Sequence, residues 1–184
     1  SWELALRHQL GLIARLAWMN GHGISPLLSF SDGRTFRTAV RLQQNPDPRQ
    51  DENLGLLARC EGCGDQQEQS LLRLTGWPSC CCRSGQGRWM VSGPLWLGPL
   101  QDPAAIEGLM QQTVPIAEAT TRLLKRLHAD RGSPARVWPT AELSKRLALQ
   151  GAPPLQKLVA ALQGAGHQAV ASGVMSGQLR TDAK

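Results

Sequence analysis

Apolar residues recur at Leu4, Leu6, Leu10, Ile13, Leu16 and Ala17, with Arg7 and Arg15 falling between them. Such spacing predicts an amphipathic helix over about residues 2–20, closed by Asn20-Gly21. The pattern then shortens to two β-leaning runs, 24–30 and 36–42. Ser31-Asp32-Gly33 lies between them, which is turn chemistry, so the pair predicts a hairpin. Arg37 and Arg41 are four positions apart on the second strand and share a face. Residues 43–53 are polar, contain Pro46 and Pro48, and predict a loop. Residues 54–59 and 71–74 read as two further strands, each running into a cysteine cluster. The stretch 89–100 holds two Gly-Pro pairs, Gly93-Pro94 and Gly98-Pro99, which restrict the backbone and exclude a helix.

Helical signals dominate from residue 102. Asp102-Pro103 combines an N-cap with proline at the first helical position. A second helix is predicted over 115–131, with Arg122, Lys125 and Arg126 spaced to share one face. An ordinary solvated helix face carries such a trio too. Thr140 with Glu142 opens a helix to about 149, residues 150–154 turn the chain, and another helix runs over 155–163. Gly164-Ala165-Gly166 stops it, and 167–180 reads as a small β-wing with Gly173 and Gly177 in its turn. Helix, tight turn, helix and wing give the outline of a winged helix. The expected class is α+β: a small antiparallel sheet with a zinc-ribbon-like cysteine hairpin, flanking helices and a C-terminal winged-helix-like segment. Residues 1–132 would form the platform and 133–184 the C-terminal subdomain.

The length of 184 residues fits one large domain or two small ones, with a real core. Net charge is +6, from 20 Lys+Arg against 14 Asp+Glu. Arginine carries the excess, since Lys125, Lys145, Lys157 and Lys184 are the only lysines. Its planar fork of donors suits phosphate. A pI near 9.5 is compatible with a nucleic-acid partner, although plain solubility charge reads the same way. Six Trp, two Phe and no Tyr are few rings for base stacking, which favours recognition of RNA by shape and phosphate. No apolar run approaches the ~18 residues of a membrane span, and the start lacks the layout of a secretory signal. A membrane is therefore not an expected partner, and the cytoplasm is the expected setting. The chain enters a helix directly at Ser1, without an initiator Met, as a piece of something longer would.

Cys60-Glu61-Gly62-Cys63-Gly64 is a Cys-x-x-Cys knuckle, two thiolates that one metal ion can bridge from a tight turn. The second cluster is Cys80-Cys81-Cys82, separated from the first by the 16 residues 64–79, a zinc-ribbon hairpin length. Adjacent cysteines chelate one ion poorly, so Cys60, Cys63, Cys80 and Cys82 are the expected ligands, leaving Cys81 spare. A site that has lost its metal is the main alternative, because the second cluster lacks the x-x spacer. A disulfide is disfavoured in the cytosol, and a redox pair would need a βαβ context that is not evident.

Nothing in the chain resembles a catalytic centre. Gly85-Gln86-Gly87 precedes a strand, and Gly164-Ala165-Gly166 ends a helix, so neither is placed to hold a dinucleotide or S-adenosylmethionine. His8, His22, His128 and His167 are scattered, and no serine has a hydrolase-elbow setting. The residues alone point to a binding module.

Several pieces together resemble one family. They are residues 24–32 (Ile-Ser-Pro-Leu-Leu-Ser-Phe-Ser-Asp), the Arg37/Arg41 strand, the Cys60/Cys63 knuckle, residues 93–100 (Gly-Pro-Leu-Trp-Leu-Gly-Pro-Leu) and residues 179–183 (Leu-Arg-Thr-Asp-Ala). In this order, across nearly the whole chain, they are similar to the C-terminal region of the tRNA guanine-26 N2-dimethyltransferases, in a bacterial form. The resemblance implies a parent enzyme that moves methyl groups from S-adenosylmethionine to guanosine 26 of tRNA. It implies that a Rossmann-like N-terminal domain outside this chain does the chemistry, so no catalytic or cofactor-binding residue is carried over. The region at hand would pack on that domain and grip tRNA, through Arg34, Arg37, Arg41, Arg122, Lys125, Arg126 and Arg180. Zinc, if held, would be structural. Three stretches depart from the family pattern: Gly33-Arg34-Thr35-Phe36 replaces a usual His-Tyr, the second cysteine pair is irregular, and Ser172-Gly173 replaces a Thr-His.

Two other readings compete. A scaffold domain would cover the catalytic domain with the apolar faces of the first helix and the Trp96 block. A stand-alone winged-helix DNA binder fits poorly, since the predicted recognition helix has only Lys157 as a cation.

Overall fold

The computed structural model describes residues 1–80, 82 and 87–183. Cys81 and the Gly85-Gln86 part of the Gly-x-Gly stretch lie outside the described residues. The first helix, α1 (Trp2–Met19), starts at Ser1, whose hydroxyl accepts from the Leu4 amide. Leu6, Leu10, Ala14 and Ala17 recur at helical spacing and are buried. They pack with Ile24, Trp96, Leu100 and Val174 as the larger of two cores. Each fully buried leucine there contributes about 1.5–3 kcal/mol relative to exposure.

Strands β1 (Gly23–Ser31) and β2 (Phe36–Gln43) form the expected hairpin, with a bulge between Pro26 and Leu28. Asp32 closes its turn by accepting from the Arg34 and Thr35 amides at 2.9 and 2.8 Å. Strands β3 (Leu54–Cys60), β4 (Gln66–Ser70) and β5 (Trp89–Trp96) form a second antiparallel sheet in the order β4-β3-β5. The expected strand at 71–74 is instead a short 3-10 turn, Leu71–Arg73. The strand lies just before it, in the polar run 66–70, where no apolar alternation betrays it. Chain 93–100 is extended as predicted. It is a core element: Leu95, Trp96 and Leu100 are buried, and the Trp96 and Gly98 carbonyls accept from Arg7.

Asp102 caps α2 (Pro103–Met110), accepting from the Ala104 amide at 3.0 Å. Helix α3 (Glu118–Ala129) begins three residues later than predicted. Ile106 of α2 and Leu124 and Leu127 of α3 make the second core, against Leu28 and Phe30 of β1. The chain then runs through β6 (Val137–Pro139), α4 (Thr140–Arg146), α5 (Leu155–Gly164), β7 (Ala169–Ala171) and β8 (Gln178–Thr181). A third antiparallel sheet has the order β6-β8-β7. The molecule is thus a mixed α/β fold with, among the described residues, three small antiparallel sheets. Among the described residues no helix is long and apolar enough to cross a membrane.

Candidate metal centre and nucleic-acid surface

Strand β3 delivers Cys60 at its last position, and the chain reverses at once. The Gly64 amide donates to the Cys60 carbonyl at 2.9 Å, and the Cys60 amide to the Asp65 carbonyl at 2.8 Å. Gly64 has φ +74°, a left-handed conformation that favours glycine. The reversal brings Cys63 beside Cys60, and the strand pair Cys60↔Trp89 brings up the return segment that carries Cys80 and Cys82. The four sulfurs lie within 4.8 Å of one another, and Cys63 Sγ is 3.1 Å from Cys80 Sγ. A tetrahedron with ~2.3 Å metal–sulfur bonds has edges of about 3.8 Å, so this quartet needs only small adjustment to close on an ion.

The surroundings fit such an occupant. A Cβ at Gly87 would stand 2.7 Å from Cys60 Sγ and 2.8 Å from Cys82 Sγ, so the missing side chain keeps the space among the sulfurs open. Burial works against the Cys60 thiolate. Hydrogen bonds from the Cys63 and Gly62 amides and from Cys80 outweigh it and lower the thiol to about 7. The hydrogen bonds that Cys80 shares with Cys63 and Cys60, together with burial, push its thiol up.

A clamp that sequence reasoning missed holds the knuckle from outside. Arg146 of α4 donates to the Gly62 carbonyl at 2.7 Å and, through Nε, to Glu142 at 2.7 Å. Arg59, next to Cys60, pairs with the same Glu142 carboxylate. Burial opposes that carboxylate, but Arg146 and Arg59 together hold it below the usual range. The i,i+4 spacing of Glu142 and Arg146 was readable as a helix pair. Nothing in the sequence said that its third member was a cysteine loop some eighty residues earlier.

The basic residues fall into two classes. Arg34, Arg37, Arg41, Arg122, Lys125 and Arg126 are exposed. Register pairs Phe30 with Arg37 and Ser25 with Arg41, and direct cross-strand partners share a face. The two arginines therefore stand on the hairpin face where Phe30 packs against the α2–α3 pair. Arg122, Lys125 and Arg126 occupy the side of α3 away from Leu124 and Leu127. Arg122 also pairs with Glu118 at 3.1 Å, an exposed contact of little energy.

Arg180 belongs to the other class, and its expected place at a phosphate is corrected. It is 1 % exposed and pairs with Glu3 at 2.8 Å and Asp130 at 2.9 Å. Arg7, equally buried, pairs with Glu3 at 2.8 Å. Two guanidinium and two carboxylate groups balance, so the buried network carries no net charge. Burial opposes the Arg180 cation, but Glu3 and Asp130 more than offset it and raise its pKa. Burial dominates at Arg7 and lowers it. Both basic groups are already occupied by carboxylates and carbonyls, with no fork left to offer to RNA.

The chain is similar to known proteins over its length. The family model for N2,N2-dimethylguanosine tRNA methyltransferase matches residues 1–184. A tRNA (guanine(26)-N(2))-dimethyltransferase of Aeropyrum pernix is 29 % identical over 192 residues, covering 100 % of this chain and 46 % of that protein. The enzyme of the same name from Schizosaccharomyces pombe is 30 % identical over 206 residues, covering 98 % of this chain and 37 % of its own length. The chain thus spans less than half of either relative. The solved complex of Trm1 from Pyrococcus horikoshii with S-adenosyl-L-methionine superposes with a TM-score of 0.76 at 22 % identity, covering 97 % of this chain and 46 % of that one. Its likeness extends the shared fold over nearly every described element. The full-length match of the family model makes the chain a member of the N2,N2-dimethylguanosine tRNA methyltransferase family.

Proposed function

We propose that this chain is the tRNA-gripping, C-terminal region of an S-adenosylmethionine-dependent tRNA (guanine-26-N2)-dimethyltransferase of the cytoplasm. It positions tRNA while a Rossmann-like N-terminal domain, a partner outside this chain, binds S-adenosylmethionine and methylates N2 of guanosine 26. Family membership supports the reaction. One observation supports the gripping role: two groups of exposed cations ride on elements that pack into a single hydrophobic layer. Arg37 and Arg41 stand on β2 of the hairpin, whose Phe30 packs into it, and Arg122, Lys125 and Arg126 stand on the outer side of α3, away from it. Contacts from such groups hold the phosphate backbone without reading bases. Arg34, exposed in the hairpin turn, is proposed to add a further phosphate contact.

The test is tRNA binding by the chain at two salt concentrations. Five or six phosphate contacts predict a loss of affinity on the order of a thousandfold between 50 and 200 mM salt. The double variant Arg37→Met, Arg41→Met is expected to flatten the logarithmic slope by about two. Binding that ignores salt, or that the double variant leaves untouched, overturns this surface as the grip.

The four thiolates are proposed to hold one structural zinc ion in a zinc-ribbon-like hairpin, and the β6-α4-α5-β7-β8 segment to be winged-helix-like. Four sulfur ligands leave no open coordination position, so the ion supplies rigidity and no reaction step. Metal analysis of the purified chain is expected to give one zinc per chain, and Cys60→Ser to abolish it. A wild-type stoichiometry near zero rules the site out.

The scaffold reading has its own support. Leu12, Leu16 and Met19 form an exposed stripe on α1, with Met19 82 % exposed. Apolar surface of that kind suits a protein contact. Salt-independent failure to bind tRNA, with self-association of the chain, is the result that would favour it.

A further inference from the structure

The knuckle loop and the last turn of α4 are 84 positions apart in the chain, yet they meet at one carbonyl. We propose that Arg146 is a positioning residue which couples metal occupancy of the cysteine quartet to the folding of α4. The inference rests on the reading of the quartet as a metal site.

The coupling runs through the knuckle loop. Gly62 lies between Cys60 and Cys63, so the direction of its carbonyl is fixed by how those two thiolates converge. Arg146 Nη1 donates to that carbonyl at 2.7 Å. Its guanidinium also lies against Gly64, where an added Cβ would stand 2.8 Å from it, so the loop and the fork fit face to face. Glu142 holds the other edge of the fork and also pairs with Arg59, the residue before Cys60. The clamp therefore grips both sides of the first ligand pair.

Helix α4 needs this support. At 7 residues it is well below the length at which a helix is stable alone. Its start is tied to the third sheet, where Thr140 donates to the Gly177 carbonyl from its amide at 2.9 Å and its hydroxyl at 3.0 Å. Its last turn holds Arg146, so the knuckle is the anchor at the far end. Two amides report on that end: Leu147 donates to the Leu143 carbonyl at 2.9 Å and Leu149 to the Ser144 carbonyl at 3.0 Å. A cation tied to all four sulfurs holds the knuckle closed; without it nothing locks the direction of the Gly62 carbonyl, and the fork loses its fixed partner.

Hydrogen exchange of the full chain, with zinc and after chelation, tests this beside a direct zinc titration. The Leu147 and Leu149 amides are expected to exchange at least tenfold faster in the zinc-free chain, while amides of α2 keep their rates. In Arg146→Met zinc still binds, within about threefold of the wild-type affinity, but the two amides exchange fast with or without it. Arg146→Lys, which keeps the charge but not the fork, is expected to restore less than half of the protection. If wild-type chain binds zinc and the two amides do not respond, the coupling is wrong though the metal site stands. If no zinc binds, the metal reading itself fails. If Arg146→Met keeps a zinc-dependent response at both amides, the link runs through other residues and Arg146 has no such role.

Discussion

At the scale of single residues, the same side chain type does two opposite jobs. Arg37 and Arg41 lie in water, while Arg7 and Arg180 are each about 1 % exposed. The buried pair is held by Glu3 and Asp130, and removing one member strands the rest in a medium that cannot solvate them. Arg180→Met is therefore expected to cost about 3–5 kcal/mol, read as a lower urea midpoint. A loss near zero would mean that water reaches the site. The pH dependence follows from Asp130. Burial opposes its carboxylate, but Arg180 and the Gly173 and Gly132 amides outweigh this and hold it below the ordinary 3.8. A carboxylate depressed in the native state stabilises above the unfolded value, and the contribution disappears as pH falls through the native value. The stability gap between wild type and Asp130→Asn is thus expected to be constant from pH 7 to about 5 and to shrink below the ordinary 3.8. A gap that widens on acidification contradicts the sign.

At the scale of elements, the sequence was readable where one physical signal acted alone. Helix α1 follows from its leucine spacing, the hairpin from its Asp-Gly turn, and the extended 93–100 block from proline geometry. The knuckle spacing likewise directed attention to the cysteines: among the described residues the fold brings Cys60, Cys63, Cys80 and Cys82 together, while Cys81 lies outside those residues. Strand β4 was missed because its partner is chosen by backbone pairing and its side chains are polar. Gln66 even substitutes for a strand: its Nε2 donates to the Val137 carbonyl at 2.6 Å, and its Oε1 accepts from the Val137 amide at 3.2 Å. Helix α4 ended early because Arg146 is drawn to the knuckle and Ala148 takes φ +51°. Arg180 was misassigned because charge pattern cannot report burial, and its partners are 50 and 177 positions away.

At the scale of the whole molecule, the first and last elements are parts of one core. Glu3 near the start and Arg180 near the end are ion-paired, and Val174, in the turn between β7 and β8, packs with Leu6 and Leu10 of α1. The two segments expected from the sequence, 1–132 and 133–184, therefore share their interior, and shared interior makes unfolding cooperative. Val174→Ala tests this away from any charge. It removes two methyl groups' worth of burial, ~0.8 kcal/mol each, and adds a cavity term, about 2 kcal/mol in all. If the interior is one unit, the global urea midpoint falls, and tryptophan fluorescence, reporting Trp96 in the same cluster, moves together with far-ultraviolet dichroism. If the C-terminal segment folds apart, the midpoint stays, and only amides of 169–181 exchange faster. The first outcome is expected, because the cavity would open among Leu6, Leu10 and Trp96 and not at the edge of the third sheet.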